Sequence, residues 1–420
     1  MIDPIYIRER KEDLITSLRH RNKEQLIPVV EQIVALDETW RAADTEINQL
    51  RSDRNARSKS KPSPEEIAAL QELRTHIQTL EEALAATDAQ RKALLASIPN
   101  VLDVSVPVGP GEEQNVELSQ EGEIPTFTFT PKEHFDIAAA NGIDIERGAK
   151  VAGSRFYYLR GSVARLERAL MNYAMDFMME RGFTLTLPPI LVGEQALYGT
   201  GYFPNGRNEV YAVNPGEDNL YLIGTSEQAL MAMHADESLP LAQGARKYVG
   251  YSPCFRREAG SYGKDTKGIL RVHQFNKVEM VVLCAPSESW DYHAQMVAIS
   301  CDFYRSLGIA FRTLQLCSGD TGAQSAKTID IEAWFPGQNR YREVGSASNT
   351  TDYQTRRLNI RMKDAEGKSV LAHALNNTVT ADRTMLAILE NFQHEDGSVT
   401  IPEVLRPYYG GERMEPQQAA

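Results

Sequence analysis

The sequence predicts an α+β fold on an antiparallel sheet, preceded by an N-terminal antiparallel α-helical coiled-coil arm. Apolar residues recur with heptad spacing near the start of the chain, and runs of strands enclosed by helices follow, without regular alternation of strand and helix. Neither GxGxxG nor GxxxxGK[ST] occurs. A dinucleotide fold or a P-loop nucleotide site is therefore disfavoured.

The arm is predicted from two apolar seams that lie on either side of a turn at Lys61-Pro62-Ser63-Pro64. Spacing of three and four residues keeps one helix face towards a partner helix. Two such helices predict a hairpin over about residues 28–98, within a first domain of residues 1–105. Polar Thr87 and Arg91 interrupt the second seam. The seams comprise Ile33, Leu36, Trp40, Ala43, Ile47 and Leu50, then Leu70, Leu73, Ile77, Leu80, Leu84, Leu94 and Ile98.

A basic segment lies at the predicted tip of this hairpin. Residues 51–61 hold five basic side chains and one acid, whereas the whole chain has a formal net charge of -12. An acidic chain does not coat nucleic acid through its overall field, so RNA binding must be local and no DNA partner is expected. A solvated loop is the alternative for the basic segment, and a dimerisation element is the alternative for the hairpin.

Composition sets the broad class of the protein. The 420 residues are 42% hydrophobic and 24% charged, as in globular chains of two or three domains. No run of 18 apolar residues occurs and the start lacks a secretory pattern, so we expect a cytoplasmic protein without a membrane partner. The four cysteines are too widely spaced for a CxxC motif, and we expect buried reduced thiols.

The second predicted domain, residues 106–420, begins with a linker rich in proline, glycine and glutamate at 107–125. Helical spacing predicts a helix over 162–181 that stops at Gly182, and a strand over 183–187 follows it. Further strands are predicted over 220–223, 268–283 and 328–334. A last helix is predicted over 384–392.

The segment with the most chemistry spans residues 255–279 and has the sequence FRREAGSYGKDTKGILRVHQFNKVE. On a predicted strand, Arg256 and Glu258 are two positions apart and face the same side. An arginine fork suits phosphate or carboxylate, and the glutamate beside it accepts hydrogen bonds. The alternative is a surface hairpin with ion pairs.

This segment resembles the second signature of class II aminoacyl-tRNA synthetases, in the form found in seryl-tRNA synthetases. The resemblance extends along the chain to the helix and strand ending at Pro189, which is similar to the first signature, and to Thr225-Ser226-Glu227, residues 343–357 and the final helix with Arg383. It implies a class II catalytic domain that uses ATP and Mg²⁺ to make seryl-adenylate from L-serine. It also implies transfer to serine tRNA and selenocysteine tRNA by a homodimer.

The resemblance implies a role for each matching residue at the ATP site. Arg256 would bridge the ATP α-phosphate and the serine carboxylate, and Arg383 would hold the γ-phosphate. Glu258 would accept from the adenine amino group. The other implied ATP-binding residues are Val272, Phe275, which would stack on adenine, and Glu343 and Ser346, which would also bind Mg²⁺.

The resemblance likewise implies a serine pocket. Its third signature departs from the usual pattern, because the stretch up to Arg383 is about one residue short and places Asp382 beside the arginine. Either Thr378 or Thr380 is then the hydroxyl residue of the pocket. The implied serine contacts are Thr225 and Glu227 to the ammonium group, Glu279 and Thr378 near the hydroxyl, and Asn376 and Arg256.

In the family, the arm reaches across a dimer to the long variable arm of the tRNA, and the anticodon is not used. The resemblance further implies that the loop 261–267 touches the acceptor end. Two other functions remain open from the sequence. One is an amino acid:carrier protein ligase, a relative without the long arm, and the other is a catalytically silent tRNA-binding paralogue.

Overall fold

The computed structural model describes residues 1–58, 63–240, 244–259, 268–363 and 367–416, without the side chains of 138–140. The chain forms two compact units, Met1–Val101 and Leu102–Ala420. The division at 105/106 that the sequence suggests stays a prediction about which part binds tRNA. Within the described ranges, no helix is both long enough and apolar enough to cross a membrane.

The first unit is helical and contains the predicted arm. The two long helices have 31 and 34 residues, which at about 1.5 Å per residue gives lengths of roughly 46 and 51 Å. Ser63 begins the second of them with a capping box, in which its hydroxyl accepts from the Glu66 N–H and Glu66 accepts from the Ser63 N–H. The helices are α1 (Pro4–Glu9), α2 (Lys11–His20), α3 (Ile27–Arg57) and α4 (Pro64–Ser97).

The predicted seams are buried or half-buried between α3 and α4, so the coiled-coil prediction is confirmed. The polar interruption at Arg91 is part of the packing. Its guanidinium pairs with buried Asp37 at 2.5 Å and lies over the Trp40 ring at 4.5 Å. A buried carboxylate needs such a partner because desolvation of an unpaired charge is costly. Of the basic segment, residues 59–61 lie outside the described ranges, and Arg51 pairs with Glu81 across the hairpin at 2.8 Å.

The second unit is built on an eight-stranded sheet with the order β1-β11-β12-β13-β16-β10-β9-β4. All neighbouring strands are antiparallel except β4 and β9. The sheet strands are β1 (Val116–Glu121), β4 (Thr184–Thr186), β9 (Arg246–Phe255), β10 (Gln274–Cys284), β11 (Phe311–Gln315), β12 (Lys327–Phe335), β13 (Arg340–Thr351) and β16 (His373–Ala381).

Short strands and nine helices complete the described part of this unit. The strands are β2 (Ile143–Asp144), β3 (Tyr158–Leu159), β5 (Leu191–Gly193), β6 (Ala212–Val213), β7 (Leu220–Leu222), β8 (Ser238–Leu239), β14 (Arg361–Lys363), β15 (Ser369–Leu371), β17 (Val399–Thr400) and β18 (Arg413–Met414). The helices are α5 (His134–Asn141), α6 (Ile145–Ala152), α7 (Gly161–Met179), α8 (Glu194–Gly199), α9 (Glu227–Ala232), α10 (Ser289–Leu307), α11 (Tyr353–Leu358), α12 (Asp382–Asn391) and α13 (Arg406–Tyr409).

One face of the large sheet is covered by α7, α10 and α12, and the main apolar core lies in that interface. Leu166 and Leu170 of α7 are fully buried there because they lie on the apolar face that the sequence spacing predicts. Gly182, with φ of +79°, ends the segment after α7 as predicted. The opposite face of the sheet is left to carry polar side chains.

The predicted strand over 268–283 is wrong at its start, because β10 begins only at Gln274. Residues 268–273 form turns instead. Gly268 has φ of +70°, and a Cβ at this position would lie 2.3 Å from His134 Nε2. The Leu270 carbonyl accepts from Arg383 Nε at 3.1 Å instead of pairing in the sheet. These turns shape one wall of the cleft described next.

Candidate active site

A cleft of about 180 Å³ opens on the polar face of the sheet. Its walls come from the end of β9, the start of β10, the middle of β13, the end of β16 and the start of α12. The implied ATP residues converge here although they are far apart in the sequence. Those lining the cleft are Arg256, Glu258, Val272, Phe275, Glu343 and Arg383, together with Arg271, Lys277, Thr378 and Asp382.

Arg256 and Glu258 are not on a strand, contrary to the sequence prediction, because β9 ends at Phe255. The Arg256 N–H donates to the His273 carbonyl at 3.0 Å, and Arg256 Nε donates to the Gly224 carbonyl at 3.2 Å. The Arg256 guanidinium lies 5.2 Å from the centre of the Phe275 ring. Turn geometry, not strand alternation, therefore brings this cation to the aromatic ring.

Glu258 has a left-handed backbone with φ of +51°, which a residue other than glycine adopts only when its surroundings fix it. Its carboxylate accepts from Arg271 Nη1 at 2.5 Å. Arg271 lies in the segment that the sequence singles out, but the sequence analysis gives it no role. The pair places one acceptor and one cation on the same wall of the cleft.

A second pair of an arginine and an acid, Arg383 and Glu343, also lines the cleft. Arg383 Nη1 donates to the Glu343 carboxylate at 3.1 Å and to the Glu343 carbonyl at 3.0 Å. The side chains of Arg383 and Glu343 are 29% and 50% exposed, so a charged ligand can displace this pair at low cost.

The geometry of β13 decides whether Glu343 and Ser346 share a face. Three positions apart, they would face opposite sides of a regular strand. The register shifts at Val344, so that Glu343 lies opposite Glu332 and Ser346 lies opposite Asp330. This β-bulge turns both side chains to the cleft face. The Ser346 hydroxyl donates to Asp330 at 2.6 Å, and burial, followed by the charge of Glu343, raises the pKa of Asp330.

A divalent cation fits the oxygen donors at this bulge only with help from a ligand. The described residues contain no group of three His, Cys, Asp or Glu side chains that would hold a metal ion by themselves. One exposed carboxylate and one hydroxyl on the same strand face are the sparse protein share typical of Mg²⁺ bound together with phosphate oxygens. Glu343 and Ser346 are therefore compatible with the implied Mg²⁺ site.

A buried polar pocket adjoins the cleft, because Lys277 and Thr378 line the cleft wall. The Lys277 ammonium contacts Glu279 at 2.7 Å and Thr225 Oγ1 at 2.8 Å. Thr378 Oγ1 donates to Glu279 Oε2 at 2.9 Å, the same oxygen that the Lys277 ammonium contacts. Thr225 and Glu279 are 1% and 2% exposed. Lys277, Glu279, Thr225 and Thr378 are thus joined by a continuous set of hydrogen bonds. The burial of the first three excludes bulk water from the pocket.

Glu227 lies in the same pocket, at the start of α9, and is 3% exposed. Its carboxylate accepts from Gln354 at 2.6 Å, from Asn376 at 3.0 Å and from Tyr202 at 3.2 Å. Burial, and then the charge of Glu279, raise the pKa of Glu227 to about 7. The pocket therefore presents a carboxyl group that a cationic ligand would drive towards ionisation.

A bulge also determines the faces to which Thr378 and Thr380 point. Glu279 lies opposite Thr378, whereas Val278 lies opposite Thr380, because the register shifts at Val379. Cross-strand neighbours point to the same side of a sheet. Thr378 thus faces the pocket. Thr380 faces the core, where its hydroxyl has no hydrogen-bond partner among the described residues.

All the implied serine and ATP residues are thus assembled at the cleft, at its adjoining pocket or on the same sheet face. Sequence reasoning missed five further polar residues of this region. Lys277 and Arg271 lie inside the singled-out segment, and their charge was the available indication. Gln354 lies within the quoted stretch 343–357, where it was assigned no role. Tyr202 and Asp330 lie outside any quoted motif, and only the tertiary fold brings them to the site. The loop 261–267 lies outside the described residues.

Comparisons with known proteins agree with this geometry. The sequence model of the tRNA synthetase class II core domain (G, H, P, S and T) matches residues 210–392, the region that contains the cleft. The fold and site therefore define the catalytic core of a class II aminoacyl-tRNA synthetase. The model of the seryl-tRNA synthetase N-terminal domain matches residues 1–102. The chain belongs to the seryl-tRNA synthetase family.

Individual relatives match along the whole chain. A serine–tRNA ligase of Thermobifida fusca is 42% identical, with 99% of each chain covered, and one of Corynebacterium diphtheriae is 42% identical, with all of each covered. Among solved structures, seryl-tRNA synthetase of Pyrococcus horikoshii complexed with ATP has a TM-score of 0.93 at 39% identity. Each chain is fully covered in that match. The cytoplasmic serine–tRNA ligase of Naegleria fowleri in complex with AMP has a TM-score of 0.89 at 34% identity, covering 100% of this chain and 99% of that one.

Proposed function

We propose that this chain is a serine–tRNA ligase that activates serine with ATP and transfers it to the 3′ end of serine tRNA. The observation that supports this most directly is the buried pocket in which Thr378 and Lys277 hold Glu279 beside an open cleft that carries arginines. Such a pocket suits a small zwitterion with a hydroxyl group. The arginine cleft suits a polyphosphate.

In the activation step, the serine carboxylate attacks the α-phosphorus of ATP, and pyrophosphate leaves. Arg256 would hold the attacking carboxylate and the α-phosphate together. The position of its guanidinium beside the ring of Phe275, the proposed adenine residue, supports this role. Phe275, Val272 and Glu258 would hold the adenine, with Arg271 orienting Glu258. Charge that builds on the phosphoryl oxygens is stabilised by fixed cations that need no reorganisation.

Arg383 would take the γ-phosphate after ATP displaces Glu343 from it. Glu343 and Ser346 would then hold Mg²⁺, which neutralises phosphate charge and orients the leaving pyrophosphate. In the second step, a terminal ribose hydroxyl of the tRNA attacks the carbonyl carbon of the adenylate, and AMP leaves.

The serine side would be held as follows. Glu227 and Thr225 receive the ammonium group, with Asn376 holding Glu227 in place. Glu279 and Thr378 receive the hydroxyl group. An analogue without the hydroxyl leaves these buried groups unpaired, and sites built in this way reject such analogues by roughly 10⁴-fold.

The finer parts of the proposal concern partners and location. We propose a cytoplasmic homodimer whose arm binds the long variable arm of serine tRNA, and also of selenocysteine tRNA. The basic residues at the C-terminal end of α3 support binding by phosphate contacts and shape. Light scattering would test the dimer, and charging of both tRNA transcripts would test the range of substrates.

Amino-acid-dependent pyrophosphate exchange with ATP tests the central proposal, with serine, threonine, alanine and glycine followed by charging of bulk tRNA. Exchange and charging with serine are expected. Exchange without charging would favour an amino acid:carrier protein ligase, against which the long arm argues. Absence of exchange with every amino acid would favour a catalytically silent paralogue, against which the retained Arg256, Glu258, Glu343 and Arg383 argue.

A further inference from the structure

Four polar residues form a network beside the cleft, and the proposed reaction uses none of them. Asp382 and Glu167 are buried, whereas Tyr157 and Asn276 are half-buried. Tyr157 donates its hydroxyl to Asp382 Oδ2, and the backbone N–H of Asn276 donates to Asp382 Oδ1 at 3.2 Å. The side-chain amide of Asn276 donates to Glu167 at 2.8 Å. The network thus joins α7, β10 and α12 with the segment before β3.

Both carboxyl groups of this network are costly to bury. Asp382 and Glu167 are 2% and 5% exposed, and neither forms an ion pair with any described residue. Burial, and then the nearby Glu167, raise the pKa of Asp382 to about 7, and burial raises the pKa of Glu167. Fold stability alone favours apolar side chains at such positions, so the location of Asp382 calls for another reason.

Sequence neighbours of the network supply that reason. Asp382 directly precedes Arg383, the proposed γ-phosphate residue. Asn276 directly follows Phe275, the proposed adenine residue. Successive strand residues point to opposite sides, so Asn276 faces away from the cleft while Phe275 faces into it. The hydrogen bond from the Asn276 N–H to Asp382 Oδ1 therefore links the adenine wall to the first residue of α12. It adds to the sheet pairing of Lys277 with Ala381 and to the hydrogen bond from Arg383 Nε to the Leu270 carbonyl.

We propose that Asp382 is a positioning residue that fixes Arg383 relative to Phe275, and so sets the span between the two ends of the ATP site. Tyr157 and Glu167 complete the network through their hydrogen bonds to Asp382 and Asn276, respectively. This role also explains why an Asp precedes Arg383 in the shortened third signature. Asp382 is the first residue of α12, and its carboxylate connects α12 to β10 shortly after the register shift at Val379. The proposal rests on the proposed function only in taking ATP as the ligand.

Asp382→Ala removes the hydrogen bond from the Asn276 N–H. Asp382 itself lines the cleft, but the substitution changes none of the side chains proposed to contact ATP. Because a misplacement of about 1 Å can cost up to two orders of magnitude, we expect KM for ATP to rise about tenfold or more in pyrophosphate exchange. KM for serine should stay within about twofold, because the pocket at Glu227 and Glu279 does not contact Asp382. Asp382→Asn keeps an oxygen acceptor for the Asn276 N–H and should restore most of the affinity for ATP.

Asp396→Ala is the matched control. Asp396 also accepts from a nearby backbone N–H, that of Ser398, but is exposed and outside the cleft, and its loss should leave both KM values unchanged. An equal rise of both KM values in Asp382→Ala, or no rise in a folded variant, would overturn the proposal. If Asp382→Ala does not fold, Tyr157→Phe removes one donor to Asp382, and an unchanged KM for ATP in that variant would count against the proposal equally.

Calorimetric titration of ATP into wild type and Asp382→Ala, without serine, separates this proposal from the proposed function. A wild-type protein that binds ATP but shows no exchange would contradict the ligase function alone. Equal ATP affinity of the two proteins would contradict the positioning role alone.

Discussion

The proposed serine pocket and the proposed ATP cleft adjoin each other but differ in how far their ion pairs are buried. In the pocket, Lys277 and Glu279 form an ion pair with side chains only 7% and 3% exposed. In the cleft, Arg383 and Glu343 form a pair that is 29% and 50% exposed. A buried pair is a fixed part of the structure, whereas an exposed pair exchanges partners easily. The pocket is therefore built to select a ligand, and the cleft is built to accept and release one.

The two regions also differ in the sign of the charge that each offers to its proposed ligand. Among the described residues, the hydrogen-bond donors to Glu227 in the pocket are all neutral and come from Gln354, Asn376 and Tyr202. It can gain a cationic partner when the serine ammonium enters. Arg256 in the cleft contacts a carbonyl and an aromatic ring, and it can gain an anionic partner when the phosphate enters. Each region thus has a charge that its proposed ligand complements.

The largest expected effect is from Arg256→Ala. Fixed cations at a developing charge contribute about 10²- to 10³-fold to kcat, so exchange should fall by at least this factor. Arg257→Ala is the matched control, because Arg257 contacts Glu209 only through its backbone N–H among the contacts resolved and does not line the cleft. Rates measured under saturating serine and ATP make the comparison. An equal fall of the exchange rate in both variants would show that the effect is not specific to Arg256.

A sharper test of the pocket compares two threonines on one strand. Thr378→Val removes the hydroxyl that donates to Glu279 and should raise KM for serine by about 100-fold, since the buried Glu279 carboxylate keeps Lys277 but loses this donor, and the serine hydroxyl loses a proposed contact. Thr380→Val is the same substitution at a side chain that faces away from the pocket, and it should leave KM for serine unchanged. If Thr380→Val raised KM for serine more than Thr378→Val did, the serine pocket would lie on the other face of the strand, which contradicts the proposal.

The pH dependence of serine binding should distinguish the regions further. Because the pKa of Glu227 is raised to about 7, its carboxyl group is mostly protonated below that pH and cannot attract the ammonium group. KM for serine should therefore fall by about tenfold as the pH rises from roughly 6 to 7.5, at saturating ATP. In Glu227→Gln, KM should be higher and lack this dependence. A dependence that persists in Glu227→Gln would assign the titration to another group.

The smallest effect concerns stability. The Thr380 hydroxyl is buried without a partner among the described residues, so Thr380→Val exchanges an unsatisfied polar group for a methyl group of similar volume. The free energy of unfolding should stay equal or rise by about 1 kcal/mol, as measured by urea unfolding. The same exchange at Thr378, which has a partner, should lower it. A loss of stability in Thr380→Val would mean that its hydroxyl has a partner in solution.

Sequence spacing predicted the architecture where packing follows one helix face. The arm seams at Ile33, Ile47 and Ile77 are buried as the heptads require. The role of Arg91 escaped prediction, because its partner Asp37 lies on the other helix. Pairing across a hairpin depends on the register of the two helices, which a single sequence does not specify.

The site was harder to predict because two β-bulges determine which side chains lie on the polar face of the sheet. Regular alternation along β13 would separate Glu343 from Ser346, and the shift at Val344 turns both to the same face of the sheet. The shift at Val379 likewise decides between Thr378 and Thr380. A bulge arises from how two strands pair, and the sequence of one strand contains little of that information. Resemblance to a family indicated these residues, while the fold supplied the physical reason.

The most direct test of the selective pocket is the ratio of kcat/KM for serine to that for alanine in pyrophosphate exchange, measured for wild type and for Thr378→Val. Our account predicts a wild-type ratio of about 10⁴ or more, because alanine would leave Glu279 and Thr378 without their ligand. The ratio should fall by at least about tenfold in Thr378→Val. A wild-type ratio near one, or an unchanged ratio in the variant, would contradict it.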